Sequence, residues 1–270
     1  MEARQPRISA SSYSNTAPLI WSFLYGTQHG RVELLLDNAP ARSAELLSTG
    51  RADAALTPVI AYQTIGDVRL VPGVCVGAKR RVRSVCLVTR GKPLESVRSV
   101  ALDVSSRTSV VLTKLIFREF LGFEPEWRAC DPEIDAMLGG SDCALLIGDP
   151  ALRVTAAADA GDASLKTFDL AELWHDHTGL GFIFAMWMTR LDAIPVDLAA
   201  VRDEGLEHID EIAANYVSDI NLSLGELKNY LTENISYEID GAMRAGLDLY
   251  FELAFKNGLI ERNRPLEFAS

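Results

Sequence analysis

DVSSRTSVVLTKLIFREFLG, residues 103–122, is the stretch that decides the fold. Just before it, Ser99-Val100-Ala101-Leu102 has the length and apolar character of a buried strand. Ser105, Ser106, Arg107, Thr108 and Ser109 then make a polar turn. Val111, Leu112, Leu115, Ile116 and Phe120 recur at helical spacing, and Gly122 stops the helix. Strand, hydroxyl-rich turn and helix together leave backbone N–H groups free at a helix N-terminus. The helix dipole favours a negative guest there, and the hydroxyls add donors, so the turn is a candidate anion cradle. A serine that merely caps the helix is the plainer alternative. One cap, however, does not require four hydroxyls and an arginine within five residues.

The same junction recurs along the chain. Arg7 to Ala10 reads as a strand, followed by Asn15 as a helix cap and Pro18 in the first turn. Asp53 to Leu56 reads as a strand running into Thr57-Pro58, a cap and a first-turn proline. Cys143 to Ile147 reads as a buried strand running into Gly148-Asp149-Pro150. Val32 to Leu36 reads as a further strand, and Pro40 to Leu47 as a helix. Alternating strands and helices imply an α/β fold with mainly parallel sheets, whose ligands bind beyond the strand C-termini. One cluster of junctions precedes residue 90 and one follows it, which suggests two lobes facing a cleft. The chain leaves the first lobe after Val88 and returns through Gly181 to Met188. Residues 1–88 and 190–270 are expected in lobe 1, and residues 92–186 in lobe 2. After Pro195 three amphipathic helices are expected: one with Val201, Ile209, Ile212, Ala213 and Tyr216 near one face, one through Leu224, Leu227 and Leu231, and one through Ile239, Met243, Leu247, Tyr250 or Phe251, and Ala254.

Composition narrows the function. The net charge of −11 argues against nucleic acid or an anionic membrane as partner. No apolar run approaches the ~18 residues of a membrane span. A small anionic ligand stays compatible, because local donors decide that. The four cysteines, Cys75, Cys86, Cys130 and Cys143, lack C-x-x-C spacing, so no zinc site is expected. Reduced thiols, and an N-terminus without an apolar signal core, lead to the expectation of a cytoplasmic protein. His175-Asp176-His177 is a lone H-x-H and reads as a surface turn.

The segments YSNTAPLIW (13–21), ADAALTPVIAYQ (52–63), RSVCLVTRG (83–91), LDVSSRTSVVLTKLIF (102–117), ALLIGDPAL (144–152) and LWHDHTGLGFIFAMW (173–187) resemble chorismate dehydratases of the futalosine route to menaquinone. The resemblance runs in order over nearly the whole chain. It implies a two-lobed periplasmic-binding-protein type II fold with hinge strands and a C-terminal helical tail. It also implies a cofactor-free lyase that removes water from chorismate, a small dicarboxylate, to give 3-[(1-carboxyvinyl)oxy]benzoate. Asn15 and Ser84 match the family's motif positions and are expected to be catalytic. Thr57, Ser105, Ser106, Arg107, Thr108, Ser109, Gly148 and Asp149 are expected to bind substrate, with no metal and no other cofactor. The related 1,4-dihydroxy-6-naphthoate synthases, and a non-catalytic binder of anionic solutes, are the alternatives.

Each residue also has a plainer role. Asn15, Thr57 and Asp149 read as helix caps. Arg107 either enters the cleft or pairs with Glu119 or Asp103. Arg80, Arg81 and Arg83 read as solvated. Phe184 and Trp187 read as hinge core, and Cys86 as structural.

Overall fold

The computed structural model describes residues 4–161, 164–191, 194 and 196–269. Pro195, where the composition shifts, lies outside the described residues. Ten strands follow in chain order: β1 (Arg7–Ser11), β2 (Glu33–Asp37), β3 (Ala54–Pro58), β4 (Arg69–Ala78), β5 (Val85–Thr89), β6 (Ser99–Asp103), β7 (Glu126–Cys130), β8 (Cys143–Ile147), β9 (Lys166–Asp169) and β10 (Phe182–Thr189). They form two five-stranded sheets, ordered β2-β1-β3-β10-β4 and β7-β6-β8-β5-β9. Strands β3, β5 and β8 are buried along their whole length, as expected of strands inside a covered sheet.

The sheets are mixed rather than mainly parallel. β1 pairs in parallel with β2 and β3, and β6 with β7 and β8. β10 and β5 run antiparallel to both their neighbours. The reason is topological: each enters its sheet directly from the other lobe, without the crossover helix that a parallel connection needs. The same two strands correct the expected division at residues 88 and 186–190. Val85–Thr89 belongs to the second sheet and Phe182–Thr189 to the first, so the chain crosses at about 79–84 and again at about 179–181.

The C-terminal part contains four α-helices among the described residues, not three. They span Leu198–Glu207, Ile209–Ile220, Leu224–Asn229 and Gly241–Lys256. The break at His208 splits what the spacing presents as one helix, and the His208 ring stacks on Trp21 at 3.7 Å. These helices do not serve one lobe alone. Tyr250 Oη donates to Thr108 O at 3.0 Å, and Arg153 Nη1 donates to Asp219 O at 3.1 Å. Tyr250 also sits in an aromatic cluster with Trp174 and Phe182, which carries apolar burial from one sheet to the other. Among the described residues no helix is long and apolar enough to cross a membrane.

The first crossing is held by one carboxylate. Asp169 is buried and caps the helix Leu170–Thr178 through Ala171 N–H (3.0 Å) and Glu172 N–H (3.1 Å). It also accepts from Val82 N–H (3.1 Å) and Arg83 N–H (2.6 Å). Arg83 has φ +61°, and Ser84 N–H donates to Val82 O at 2.8 Å. That is a γ-turn of the strained, positive-φ kind, which persists only where the surroundings impose it. Burial pushes the Asp169 carboxyl up to about 6, against the lowering effect of its N–H donors.

A carboxyl raised in the folded state binds its proton more tightly there than in the unfolded chain. Its contribution to stability is therefore present at low pH and is lost as pH rises through about 6. Asp169→Asn does not titrate. Lowering the pH from 7.5 to 5 should widen the gap in melting temperature between wild type and Asp169→Asn, by the equivalent of about 1 kcal/mol. Thermal melts at the two pH values check this, and a gap that stays constant or narrows contradicts it.

Candidate active site

The strand-to-helix junctions meet at one slot between the lobes. Tyr13, Asn15 and Thr16 reach it from the first lobe; Ser106, Thr108, Ser109 and Gly148 reach it from the second. Leu56, Val76, Val85, Ile147 and Phe184 supply its apolar walls. The volume open to water centres is about 60 Å³. Larger grooves of about 570 and 510 Å³ lie elsewhere, the first along residues 231–240, the second among Arg69, Arg190, Arg262 and Arg264. Neither touches a strand-to-helix junction, so the small slot is where the chemistry-bearing residues converge.

The Ser105–Ser109 turn divides its labour. Ser106 Oγ accepts from Ser109 N–H at 3.3 Å, the capping role expected of one serine. Thr108 Oγ1 accepts from Ile60 N–H of the first lobe at 3.3 Å. Ser109 lines the slot, and no bond from its hydroxyl is found among the described residues. Ser105 lies behind the slot, with its N–H and its hydroxyl both on Asp103 Oδ1, at 2.8 and 2.5 Å. Burial raises the pKa of Asp103. Arg107 is exposed and does not line the slot, because it starts the helix Thr108–Leu115 with its side chain outward; its charge is felt at Glu45.

Asn15 is not a helix cap. Its Nδ2 donates to Tyr230 Oη at 3.1 Å, and its Oδ1 accepts from Thr16 Oγ1 at 3.4 Å. Thr57 is not a cap either. It sits inside β3, where alternation gives the slot to Leu56 and Pro58 and leaves Thr57 fully buried. Ser84 is fully buried one residue before Val85, which takes the lining position. The carbonyl of Ser84 accepts from Gly148 N–H at 2.7 Å. Gly148 has φ +65°, and the Tyr13 ring lies 2.6 Å from where a Cβ would stand, so both backbone and space demand glycine.

Asp149 also differs from its expected role. It lies within the helix Gly148–Asp159 and does not cap it. Its carboxylate reaches across to Ser14, accepting from N–H at 3.2 Å and from Oγ at 2.5 Å. Burial raises its pKa. With Ala41 N–H on Ser105 O (3.3 Å) and Ile60 N–H on Thr108, this contact holds the lobes together over the slot. Tyr13 is the only lining residue that titrates, and burial pushes it up to about 12, so it stays neutral. Among the described residues no three His, Cys, Asp or Glu side chains gather as metal ligands would. Tyr230, fully buried and bonded to Asn15, is absent from the sequence-based set. It lies 215 residues from Asn15, so no local pattern could have linked them.

Known proteins resemble the chain over most of its length. A family model described as menaquinone biosynthesis matches residues 6–256. A chorismate dehydratase of Thermus thermophilus is 30% identical over 259 residues, covering 89% of this chain and 92% of that protein. Among solved structures, protein AF1704 from Archaeoglobus fulgidus has a TM-score of 0.70 at 18% identity, covering 96% of this chain and all of that one. The periplasmic aliphatic sulphonate binding protein SsuA from Escherichia coli has a TM-score of 0.63 at 14% identity, covering 99% of this chain and 95% of that one. A Candida albicans protein with the generic periplasmic binding protein fold has a TM-score of 0.66 at 12% identity, covering 96% and 92%. The fold is thus that of periplasmic binding proteins, and, with the match running from the first strand to the last helix, the chain belongs to the menaquinone biosynthesis family.

Proposed function

We propose that the protein is a chorismate dehydratase, a hydro-lyase that forms 3-[(1-carboxyvinyl)oxy]benzoate and water without metal or organic cofactor. The observation that carries this reading is the lining of the slot: hydroxyls, one amide and a helix N-terminus, with no charged side chain. Such a site binds carboxylates through neutral donors. It also lacks a side-chain base, since Asp103 and Asp149 are turned into bonds with Ser105 and Ser14. A dicarboxylate brings its own base. In this scheme one substrate carboxylate takes the C3 proton and delivers it to the C4 hydroxyl, the C3–H electron pair forms the new ring double bond, and the C4–O bond breaks to release water, leaving the carboxylate as it began. Aromatisation supplies the driving force.

The chain's residues then have positioning roles. Ser106 and Ser109, at the N-terminus of the helix 108–115, hold a carboxylate. Asn15 donates to the leaving hydroxyl or to the second carboxylate. Thr108 and Gly148 shape the slot, while Ser84, Thr57 and Ser105 support it from behind. The space of about 60 Å³ is too small for a substituted six-membered ring, so the lobes part to admit substrate, breaking the Ser14–Asp149 contact. The four free thiols, three of them buried, suit a reducing cytoplasm.

Incubating the purified protein with chorismate should yield a product one water lighter by mass spectrometry, and should do so after exhaustive chelation. Intact chorismate sinks the reading. Asn15→Asp should stay folded, because the Tyr230 hydroxyl can turn to donate to the new carboxylate, yet it should lose at least 90% of turnover, on the order of the tenfold that one hydrogen bond supplies. Ser106→Ala and Ser109→Ala should each weaken substrate binding by ~10- to 100-fold, the weight of a hydrogen bond to a charged group. Calorimetry on folded variants measures this, and unchanged affinity in both would return the turn to a plain cap.

A further inference from the structure

We infer that Tyr230 is a positioning residue that fixes the amide of Asn15 in its working orientation. The inference rests on the dehydratase reading, and goes beyond it by assigning a role to a residue outside the slot. Tyr230 is fully buried, and its hydroxyl accepts from Asn15 Nδ2 at 3.1 Å. The Ser84 side chain adjoins the same hydroxyl and favours its charged form, but burial dominates and holds the phenol neutral. One oxygen therefore meets both residues expected to be catalytic, although they lie on separate segments.

The backbone is built for this reach. The helix Leu224–Asn229 begins with a full capping box between Ser223 and Glu226. It then widens into a π-helical turn over Tyr230–Asn234. Such turns cost hydrogen-bond geometry and gather at functional sites. Both ends of this turn are spent on the site's frame: Tyr230 on Asn15, and Asn234 Nδ2 on Arg81 O of the lobe crossing, at 3.3 Å.

The chemistry explains why an amide needs such a partner. A carboxamide offers donors on one arm and an acceptor on the other, and a half-turn exchanges them. With one N–H of Asn15 committed to Tyr230 and Oδ1 committed to Thr16, the second N–H is left as the arm for substrate. Without the Tyr230 oxygen, the amide loses one of the two side-chain bonds that hold it in place and is free to turn.

Tyr230→Phe removes that oxygen and keeps the ring. We expect kcat to fall by about tenfold, with KM changed by less than about threefold and the melting temperature within a few degrees. In an Asn15→Ala background, adding Tyr230→Phe should cost no further activity, since the two act as one unit. Full activity of Tyr230→Phe, or losses that multiply in the double variant, would overturn the inference. Side-chain amide NMR separates this from a failure of the dehydratase reading. In wild type the Asn15 amide protons should exchange slowly and rotate slowly, and in Tyr230→Phe they should approach solvent-like behaviour whether or not chorismate is turned over. Freely exchanging Asn15 amide protons in wild type would overturn the inference even if Tyr230→Phe fails to fold.

Discussion

Asp169 gathers four backbone N–H groups from two segments, and the relative placement of everything around the slot depends on that collection. Two of the donors belong to the crossing and two to a helix of the second lobe. The carboxylate therefore fixes where the chain enters the second sheet. It also imposes the positive φ of Arg83, which sets the registers of Ser84 and Val85. Ser84 in turn receives Gly148 N–H, and Gly148 lies under the Tyr13 ring. A chain of short contacts thus links the crossing to both walls of the slot. Burying a carboxylate is costly, and here the backbone donors partly offset it.

Much of the fold is legible locally. The strands around Ile8, Ala55, Leu145 and Ala101 are apolar runs, and the Ser105–Ser109 turn announces itself by composition. Three strands are not. β7 reads EWRAC at a sheet edge, where polar residues are tolerated, and β9 is a four-residue edge strand. β4 carries Pro72-Gly73, with Gly73 at φ +76°, which looks like a turn in sequence. The site was legible as a set of junctions, and less so as individual roles. Asn15, Thr57 and Asp149 all look like caps, because the residues that cap helices are those that make long-range hydrogen bonds. The partners that decide between the two, Tyr230 for Asn15 and Ser14 for Asp149, are remote in sequence.

The neutrality of the slot distinguishes it from sites that hold anions with arginine. Among the described residues no arginine lines it: Arg107, within the Ser105–Ser109 turn, is exposed, and Arg83, beside Ser84, pairs with Asp159. Under the proposed dehydratase reading, neutral donors bind a dianion less tightly than guanidinium groups would, but they leave the substrate's own carboxylate basic. A guanidinium bound to that carboxylate would lower its proton affinity. For a reaction in which the substrate must remove its own proton, hydroxyls and amides are the better lining.

The strand order also bears on how the protein is made. β10 separates β3 from β4, and β4 pairs with β10 and with isolated residues of the C-terminal segment. While the chain is being synthesised, the first sheet lacks an inner strand until about residue 189 has emerged. The second sheet is contiguous from Val85 to Asp169 and has every strand in hand earlier. The inserted lobe is thus the first to complete its sheet on the ribosome, and the lobe that begins the chain is the last, closing around a partner already formed.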